Sequence, residues 1–348
     1  MSVLEVQETD PSLTYTGAGW ASAANVAYSG GTSQQTSGAG QSVSIAFTGR
    51  ALYLVTQCTN NGGGQFSVSI DGVAQPGVIT TYVAASGLFA RIVVPVARGL
   101  DQGAHTVVLT QVAGMLSVDS VLVVSGGRLG VTKGTLVAVG DSWTAGSGAF
   151  TANTAYATRM VAFLQGALKR GVLLVNKGVS GDCWFGADAT HVGGMYRIVT
   201  DVASNTPEMI TFLFGANDLK PMGSATNPSD FARYVHHALC LVEDVFDTSQ
   251  VRVAVGTPGY VSSSYSYQVA PGGYYAMSSD NFELAVALVR QVVGMFPWCR
   301  LAAVYEAMDG RDTLMYPNSS GDNGLHPNDT GHAVIGLEFA RALLGSVA

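Results

Sequence analysis

Short segments in the first part of the chain alternate apolar and polar residues with a period of two. Such alternation is typical of strands that turn one face to a core and the other to water. Turn-forming dipeptides, among them Asn61-Gly62 and Asp71-Gly72, separate these segments and favour tight connections between antiparallel strands. Residues 13–125 are therefore predicted to form an antiparallel β-sandwich of the jelly-roll kind. The clearest segments are residues 42–47, 65–70, 91–96 and 106–110.

Beyond residue 134 the pattern changes to apolar runs that alternate with helical periodicity. Apolar runs of this kind indicate strands buried on both faces, and strands that alternate with helices indicate a parallel sheet covered on both sides. The apolar runs are residues 135–139, 172–175, 209–214, 251–255 and 301–304. The helical patterns are residues 156–169, 195–202, 229–246, 281–295 and 330–344.

A glycine-rich segment, residues 126–134, lies between the two patterns. Clustered glycines favour loops and linkers, and a chain of 348 residues is long enough for two domains. We therefore predict a β-sandwich domain over residues 1–126 and an α/β domain over residues 127–348.

Composition and charge exclude several classes of protein. With 47% hydrophobic and 12% charged residues, the chain can bury a core and is unlike a disordered protein. Its net charge of −7 provides no basic surface, so we predict no nucleic-acid partner. Its sequence predicts no membrane span and no secretory signal peptide. The four cysteines match no metal or redox spacing and are predicted to be buried thiols: Cys58, Cys183, Cys240 and Cys299.

Residues suited to catalysis follow several of the predicted strands. In a parallel sheet the active site lies beyond the carboxyl ends of the strands, and a serine at a strand-to-helix turn exposes its hydroxyl near a helix N-terminus. Each motif alone is weak, because short motifs have a high false-positive rate, but four in order at successive strand ends indicate one site. They are Gly140-Asp141-Ser142-Trp143, Ser180-Gly181-Asp182, Gly215-Ala216-Asn217-Asp218 and the run Asp322 to Asn328 around His326.

This ordered set resembles the GDSL/SGNH hydrolase superfamily from about residue 134 to the C-terminus. The resemblance implies a three-layer α/β/α sandwich with a parallel five-stranded, flavodoxin-like sheet. It also implies a serine esterase in which Ser142 is the nucleophile and His326 its general base. The backbone N–H of Gly181 and the side-chain amide of Asn217 would then bind the oxyanion. The sequence has neither a Gly-x-Ser-x-Gly elbow nor a His-Glu-x-x-His motif, and we predict no metal and no cofactor.

The chain departs from the superfamily's pattern at the acid of the triad. The superfamily places an aspartate three residues before the histidine, whereas this chain has Asn323 there and Asp322 one residue earlier. Asp322 could reach the imidazole from a longer loop, or Asn323 or a backbone carbonyl could orient it instead, or activity could be reduced or lost. We favour Asp322, because an aspartate supports the required tautomer of the histidine better than an amide does.

The N-terminal part resembles the jelly-roll modules that accompany some carbohydrate esterases. The motifs that carry this likeness include Gly19-Trp20, Phe47-Thr48-Gly49 and Ile70-Asp71-Gly72. The pairing implies an O-acetylated polysaccharide as substrate. Trp143 and Trp184 could line a sugar-binding cleft or simply pack.

Two alternatives remain for the function, and the sequence leaves the glycan, the oligomeric state and the location of the protein open. One alternative is a small-acyl or lipid esterase or thioesterase, although the Gly, Ser and Tyr residues around 259–275 do not suggest an apolar acyl channel. The other, from a different class, is a non-catalytic glycan-binding adhesion or phage receptor-binding protein, which would suit a particle-associated or extracellular location.

Overall fold

The computed structural model describes residues 2–59, 63–82, 88–186, 190–219, 227–260, 266–270, 273–276, 279–316 and 324–345. The chain divides into two compact units. The first comprises Met1–Leu129, Phe185–Val199 and His237–Phe246, and the second comprises Gly130–Trp184, Thr200–His236 and Asp247–Ala348. The boundary between residues 126 and 127 stays a prediction.

The first unit is built from antiparallel sheets, as the alternating pattern predicted. Its strands are β1 (Ser2–Gln7), β2 (Leu13–Thr16), β3 (Ala21–Ala24), β4 (Thr32–Thr36), β5 (Ser42–Gly49), β6 (Ala51–Thr59), β7 (Gln65–Ile70), β8 (Val73–Ala74), β9 (Ile79–Thr80), β10 (Leu88–Ala97), β11 (Gly103–Ala113), β12 (Leu116–Val118) and β13 (Ser120–Ser125). One sheet has the order β1-β13-β6-β10 and a second β2-β5-β11-β7-β8, with β9 also paired to β7. A third, smaller sheet has the order β12-β4-β3.

Strand β5 illustrates why the alternating sequence forms a sandwich. Val43, Ile45 and Phe47 are buried, whereas Ala46 and Thr48 between and beyond them are exposed. Because successive side chains of a strand point to opposite faces, one face of β5 is apolar. Removing each large apolar side chain from water contributes about 1.5–3 kcal/mol.

The second unit contains a parallel five-stranded sheet. Its strands are β14 (Thr132–Gly140), β15 (Leu173–Gly178), β16 (Pro207–Leu213), β17 (Arg252–Gly256) and β20 (Cys299–Ala302), while β18 (Ser266–Ala270) and β19 (Gly273–Ala276) form a separate hairpin. All seven residues of β16 are buried, as expected for a strand covered on both faces. The hairpin overlaps residues for which the sequence suggested only a loop.

The α-helices of the described chain are α1 (Ser142–Ala145), α2 (Tyr156–Leu168), α3 (Gly194–Arg197), α4 (Pro228–Val245), α5 (Ser279–Gly294), α6 (Val304–Met308) and α7 (Asp329–Leu344). Four of them, α2, α4, α5 and α7, lie within a few residues of the predicted helical patterns. The pattern at residues 195–202 instead forms the short helix α3 followed by a π-helix at Ile198–Val202, and α1 and α6 match none of the patterns. Helices α2 and α7 pack against each other. Among the residues that the structure describes, none of the helices is long and apolar enough to cross a membrane.

The order of the parallel strands is β15-β14-β16-β17-β20. The chain therefore leaves the interior strand β14 for its neighbour on one side and then returns to its neighbour β16 on the other. Such a reversal opens a crevice at the carboxyl ends of β14 and β16, where ligands bind in open α/β sheets. This order is that of a flavodoxin-like sheet and confirms the predicted α/β/α fold.

Candidate active site

Ser142 lies immediately beyond β14, an interior strand of the parallel sheet. Strand β14 ends at Gly140, Asp141 caps the next turn by accepting the N–H of Trp143 at 2.9 Å, and Ser142 begins helix α1. Gly140 has no room for a side chain, because a Cβ there would lie 2.0 Å from Oγ1 of Thr144. This close approach explains the glycine of the Gly-Asp-Ser motif.

His326 is hydrogen-bonded to Ser142. Its Nε2 lies 2.9 Å from Oγ of Ser142, across 184 positions of the sequence. Its loop is fixed by backbone bonds on both sides, since the His326 carbonyl accepts the N–H of Tyr316 at 3.0 Å and Asn328 caps helix α7. Ser142 retains 7% of its exposure. The pair is therefore positioned for proton transfer at the edge of the sheet.

Gly181 and Asn217 follow the two strands that flank β14. Gly181 is exposed and has a φ of +85°, a left-handed conformation that favours glycine. Asn217 is 9% exposed, and its side-chain amide donates to the carbonyl of Asp182 at 3.0 Å. This bond connects the loop that carries Asn217 to the loop that carries Gly181.

Asp218 binds the loop of the neighbouring strand. Its Oδ1 accepts the N–H of Trp184 at 2.9 Å, and the residue is completely buried. Burial raises the pKa of Asp218 to about 8, and the nearby carboxylates of Asp141 and Asp182 act in the same direction. Asp218 therefore braces the loop that carries Trp184.

The structure also shows that His332, a residue that the sequence analysis did not identify, supports the loop after helix α1. It lies on helix α7, is completely buried, and its Nδ1 accepts the N–H of Tyr156 at 3.2 Å. Its Nε2 lies 3.0 Å from the carbonyl of Ser147, so Nε2 must carry the proton of a neutral ring. Burial lowers the pKa of His332 to about 4. Its signal in the sequence is only its position, six residues after His326.

Trp143 and Trp184 pack rather than line a cleft. Each is 1% exposed. A Cβ on Gly259 would lie 2.5 Å from the ring of Trp143, so that glycine makes room for the indole. Trp184 contacts Phe212 and Phe214, with ring centroids 5.5 and 4.7 Å away.

Two of the residues discussed for the triad, Asp322 and Asn323, lie outside the described residues, as do residues 261–265 of the Tyr- and Ser-rich segment. Within the described part of the chain, no group of three or more His, Cys, Asp and Glu side chains has the arrangement needed to hold a metal ion. All four cysteines are buried, as predicted.

A serine bonded to a histidine at the carboxyl end of an interior strand of a parallel α/β sheet is the arrangement of a serine-type acyl hydrolase. Residues 138–334 match the model of the GDSL-like lipase/acylhydrolase family. The match spans more than half of the chain and includes Ser142 and His326, and the chain belongs to this family. The protein is thus a carboxylic ester hydrolase, as its sequence predicted.

Several solved structures are similar to this chain. A family two carbohydrate esterase from Cellvibrio japonicus is 14% identical with a TM-score of 0.37, over 97% of this chain and 96% of that chain. A carbohydrate esterase family 2 enzyme plus carbohydrate binding domain from Corynascus thermopiles (Myceliophthora fergusii) is 19% identical with a TM-score of 0.39, over 95% and 98%. A mutant acetyl-xylooligosaccharide esterase from Geobacillus Stearmophilus is 18% identical with a TM-score of 0.45, over 63% and 98%. No curated protein matches the chain in sequence.

Proposed function

We propose that Ser142 and His326 are the nucleophile and the general base of this acyl hydrolase. The observation that carries the proposal is the 2.9 Å contact between Nε2 of His326 and Oγ of Ser142. Serine is a weak nucleophile until a neighbouring base removes its proton. In the first step Oγ attacks the ester carbonyl carbon while His326 accepts the hydroxyl proton.

The oxyanion of the tetrahedral intermediate is bound by three donors in this proposal. They are the backbone N–H groups of Ser142 and Gly181 and the side-chain amide of Asn217. An amide nitrogen carries two hydrogens, and the bond to the carbonyl of Asp182 uses one of them. That bond fixes the plane of the Asn217 amide beside the loop that carries Gly181.

Collapse of the intermediate breaks the bond to the alcohol, which leaves with the proton held by His326, and an acyl ester remains on Ser142. Water then attacks this ester, with His326 again accepting a proton and returning it to Oγ of Ser142. The net reaction consumes one ester and one water and yields one alcohol and one carboxylic acid.

Asp322 is the residue proposed to orient His326. A carboxylate at Nδ1 favours the tautomer whose Nε2 can accept a proton from serine. Asp322→Asn should lower kcat about 10,000-fold, as the equivalent change does in serine proteases. Asn323→Ala is the matched control and should leave kcat within a few-fold. A large loss in Asn323→Ala with none in Asp322→Asn would assign the role to the asparagine.

The proposed substrate is an O-acetylated saccharide, whose acetyl group is transferred to Ser142 and released as acetate. The sequence supports it through the sandwich motifs, which resemble modules found beside carbohydrate esterases. The surroundings of the serine support a small acyl group, because the neighbouring residues Ala145, Ser180 and Gly181 are exposed and have small side chains. A long acyl chain would instead need an extended apolar channel.

Hydrolysis of a chromogenic acetate ester, compared with release of acetate from acetylated polysaccharides, tests this proposal. Wild type should hydrolyse both, and Ser142→Ala should hydrolyse neither. Hydrolysis of longer-chain acyl esters in preference to acetate, with no acetate released from polysaccharide, would contradict an acetylated saccharide as the substrate. It would still agree with an esterase. Loss of neither activity in Ser142→Ala would contradict the assignment of the nucleophile.

A further inference from the structure

Phe150 is an aromatic residue that the loop after helix α1 holds in solvent. It is 82% exposed, more than any other large hydrophobic side chain among the described residues. Burying a phenylalanine is strongly favourable, so this ring offers an apolar contact surface to a ligand that covers it.

The loop that carries Phe150 is fixed at several points. The N–H groups of Gly146 and Ser147 both donate to the carbonyl of Ser142, at 3.0 and 2.9 Å. The N–H of Phe150 itself donates to Oδ1 of Asp329 at 2.8 Å. One residue further, the N–H of Thr151 donates to Oγ1 of Thr154 at 3.0 Å. The backbone that presents the ring is therefore defined, and the exposure of the ring is not the result of an unbonded chain.

The same loop lies against His326. A Cβ on Gly148 would be 3.0 Å from Cβ of His326 and 2.2 Å from the carbonyl oxygen of Pro327, so the Gly148 backbone touches the base-bearing segment. Phe150 is two residues further on, which places its Cα within about 8 Å of that of Gly148. His332 and Asp329 hold the loop from the same helix, α7, through Ser147 and Phe150.

We propose that Phe150 is a specificity residue that contacts the alcohol half of the substrate, the sugar, at the mouth of the site. This inference rests on the proposed function and assigns recognition of the saccharide to Phe150. The acyl group must reach Ser142, a residue that is 7% exposed, so the alcohol half of the substrate extends toward solvent. In this proposal the alcohol half passes the His326 segment and the loop of Phe150.

The chemistry of a phenyl ring suits a pyranose. A sugar ring presents its axial C–H groups on one face, and a flat aromatic surface removes that face from water without needing to match its hydroxyl groups. Because a phenyl ring has no hydrogen-bonding groups, it favours any sugar that presents such an apolar face and does not distinguish one arrangement of hydroxyl groups from another. Phe150 is thus expected to strengthen binding of saccharide acetates and to leave the reaction at the carbonyl carbon unchanged.

The test compares two substrates that share the acetyl group and differ in the alcohol: ethyl acetate and acetylated xylo-oligosaccharides. Phe150→Ala should lower kcat/KM for the oligosaccharides about tenfold, mainly through KM, and leave kcat/KM for ethyl acetate within twofold. Phe150→Trp should restore the oligosaccharide value. Phe163→Ala is the matched control, because Phe163 is also an exposed phenylalanine, 40% accessible, and lies on helix α2. This variant should leave kcat/KM unchanged for both substrates.

Equal losses on both substrates, or no loss on the oligosaccharides, would overturn the role of Phe150 while wild-type release of acetate from the oligosaccharides still upheld the proposed function. If wild type hydrolyses ethyl acetate but releases no acetate from the oligosaccharides, the saccharide itself is wrong and the inference about Phe150 falls with it.

Discussion

Glu5 in the first unit and two buried aspartates in the second use their carboxylates in different ways. In the first unit, Glu5 accepts hydrogen bonds from the hydroxyl groups of Ser29, Ser120 and Tyr196, at 2.6, 2.6 and 2.5 Å. These four residues belong to different elements: β1, the turn before β4, β13 and α3. The carboxylate thus joins separate elements of that unit through their side chains.

In the second unit the buried acids bind backbone N–H groups. Asp141 accepts the N–H of Trp143, and Asp218 that of Trp184, both at 2.9 Å. Each bond fixes the course of a loop at the edge of the sheet, next to Ser142 or Asn217. The comparison teaches that Glu5 holds elements of the first unit together, whereas Asp141 and Asp218 shape the loops that present the proposed catalytic groups.

Burial itself does not distinguish these two uses. Asp119 in the first unit and Asp218 in the second are both completely buried, and burial is the largest cause that raises the pKa of each to about 8. A shifted pKa is therefore no marker of catalysis in this protein. Both also accept a backbone N–H, that of Ser29 for Asp119 and that of Trp184 for Asp218. What differs is the position of each acid, because only Asp218 fixes a loop beside Asn217, and substitutions in the two units should therefore separate activity from stability.

The largest expected effect is the loss of activity in Ser142→Ala. Removing the serine or the histidine of such a site lowers kcat by about 10,000- to 1,000,000-fold, and the double variant Ser142→Ala/His326→Ala should be no slower than either single variant. The melting temperature should change little. Initial rates on an acetate ester measure this, with Ser147→Ala, five residues further along, as a matched serine control that should keep its rate.

In the first unit the largest effect should be on stability. Asp244 is 4% exposed at its side chain, and its Oδ2 lies 2.7 Å from Nε of Arg98. Asp244→Ala should lower the free energy of unfolding by about 3 kcal/mol, because it leaves a partly buried arginine without its principal partner. Urea unfolding measures the change, and activity of the folded fraction should be unaltered.

Glu243→Ala is the control for that prediction. Glu243 binds the same guanidinium at 2.8 Å but is 34% exposed, and exposed ion pairs contribute about 1 kcal/mol or less. If both variants lose the same stability, the contrast between buried and exposed partners of Arg98 is wrong.

Asn217→Ala should slow the reaction without unfolding the protein. Loss of one oxyanion donor typically lowers kcat by about 100- to 1,000-fold with little change in KM. Steady-state kinetics on the acetate ester measure both constants, and Asn153→Ala, at an exposed asparagine of the neighbouring loop, should retain wild-type values. A rise in KM at constant kcat would show that Asn217 binds the substrate rather than the oxyanion.

The smallest effect is a pH dependence that belongs to His332. Its pKa is lowered to about 4 by burial, whereas an unfolded histidine titrates near 6.5. Between these values the unfolded chain binds more protons than the folded one, so this contribution to stability is fully present above about pH 6.5 and is lost as the pH falls toward 4.

The His332→Gln variant keeps a donor for the carbonyl of Ser147 and does not titrate. On moving from pH 7.5 to pH 5, wild type should lose about 2 kcal/mol more stability than the variant. Chemical unfolding at the two pH values measures the difference. Parallel losses in the two proteins would show that His332 is not neutral in the folded state, which would contradict its bonds to Ser147 and Tyr156.

Much of the fold could be predicted from local pattern. The alternation in β5 and the apolar run of β16 each report the faces that are buried, and the Gly-Asp-Ser motif marks the end of β14. The end of β20 was harder to predict, because Ala302, Ala303 and Val304 continue its apolar run although the strand ends at Ala302 and helix α6 begins at Val304. Periodicity cannot mark a boundary between two apolar elements.

The residues that support the proposed site could not be predicted from the sequence. His332 contributes because the packing of α7 turns its ring toward the carbonyl of Ser147, and the exposure of Phe150 depends on how the loop is bonded to Asp329. Both are consequences of contacts between residues more than 170 positions apart, and no short motif encodes such contacts.

Covalent labelling by a fluorophosphonate tests the central claim most directly. The reagent's phosphorus is attacked by an activated serine Oγ, with loss of fluoride, and the adduct is located by peptide mass spectrometry. The account predicts a single adduct on the peptide that contains Ser142, absent in Ser142→Ala and strongly reduced in His326→Ala, with ester hydrolysis lost in proportion to labelling. An adduct on another serine, or full hydrolysis after complete labelling of Ser142, would contradict it.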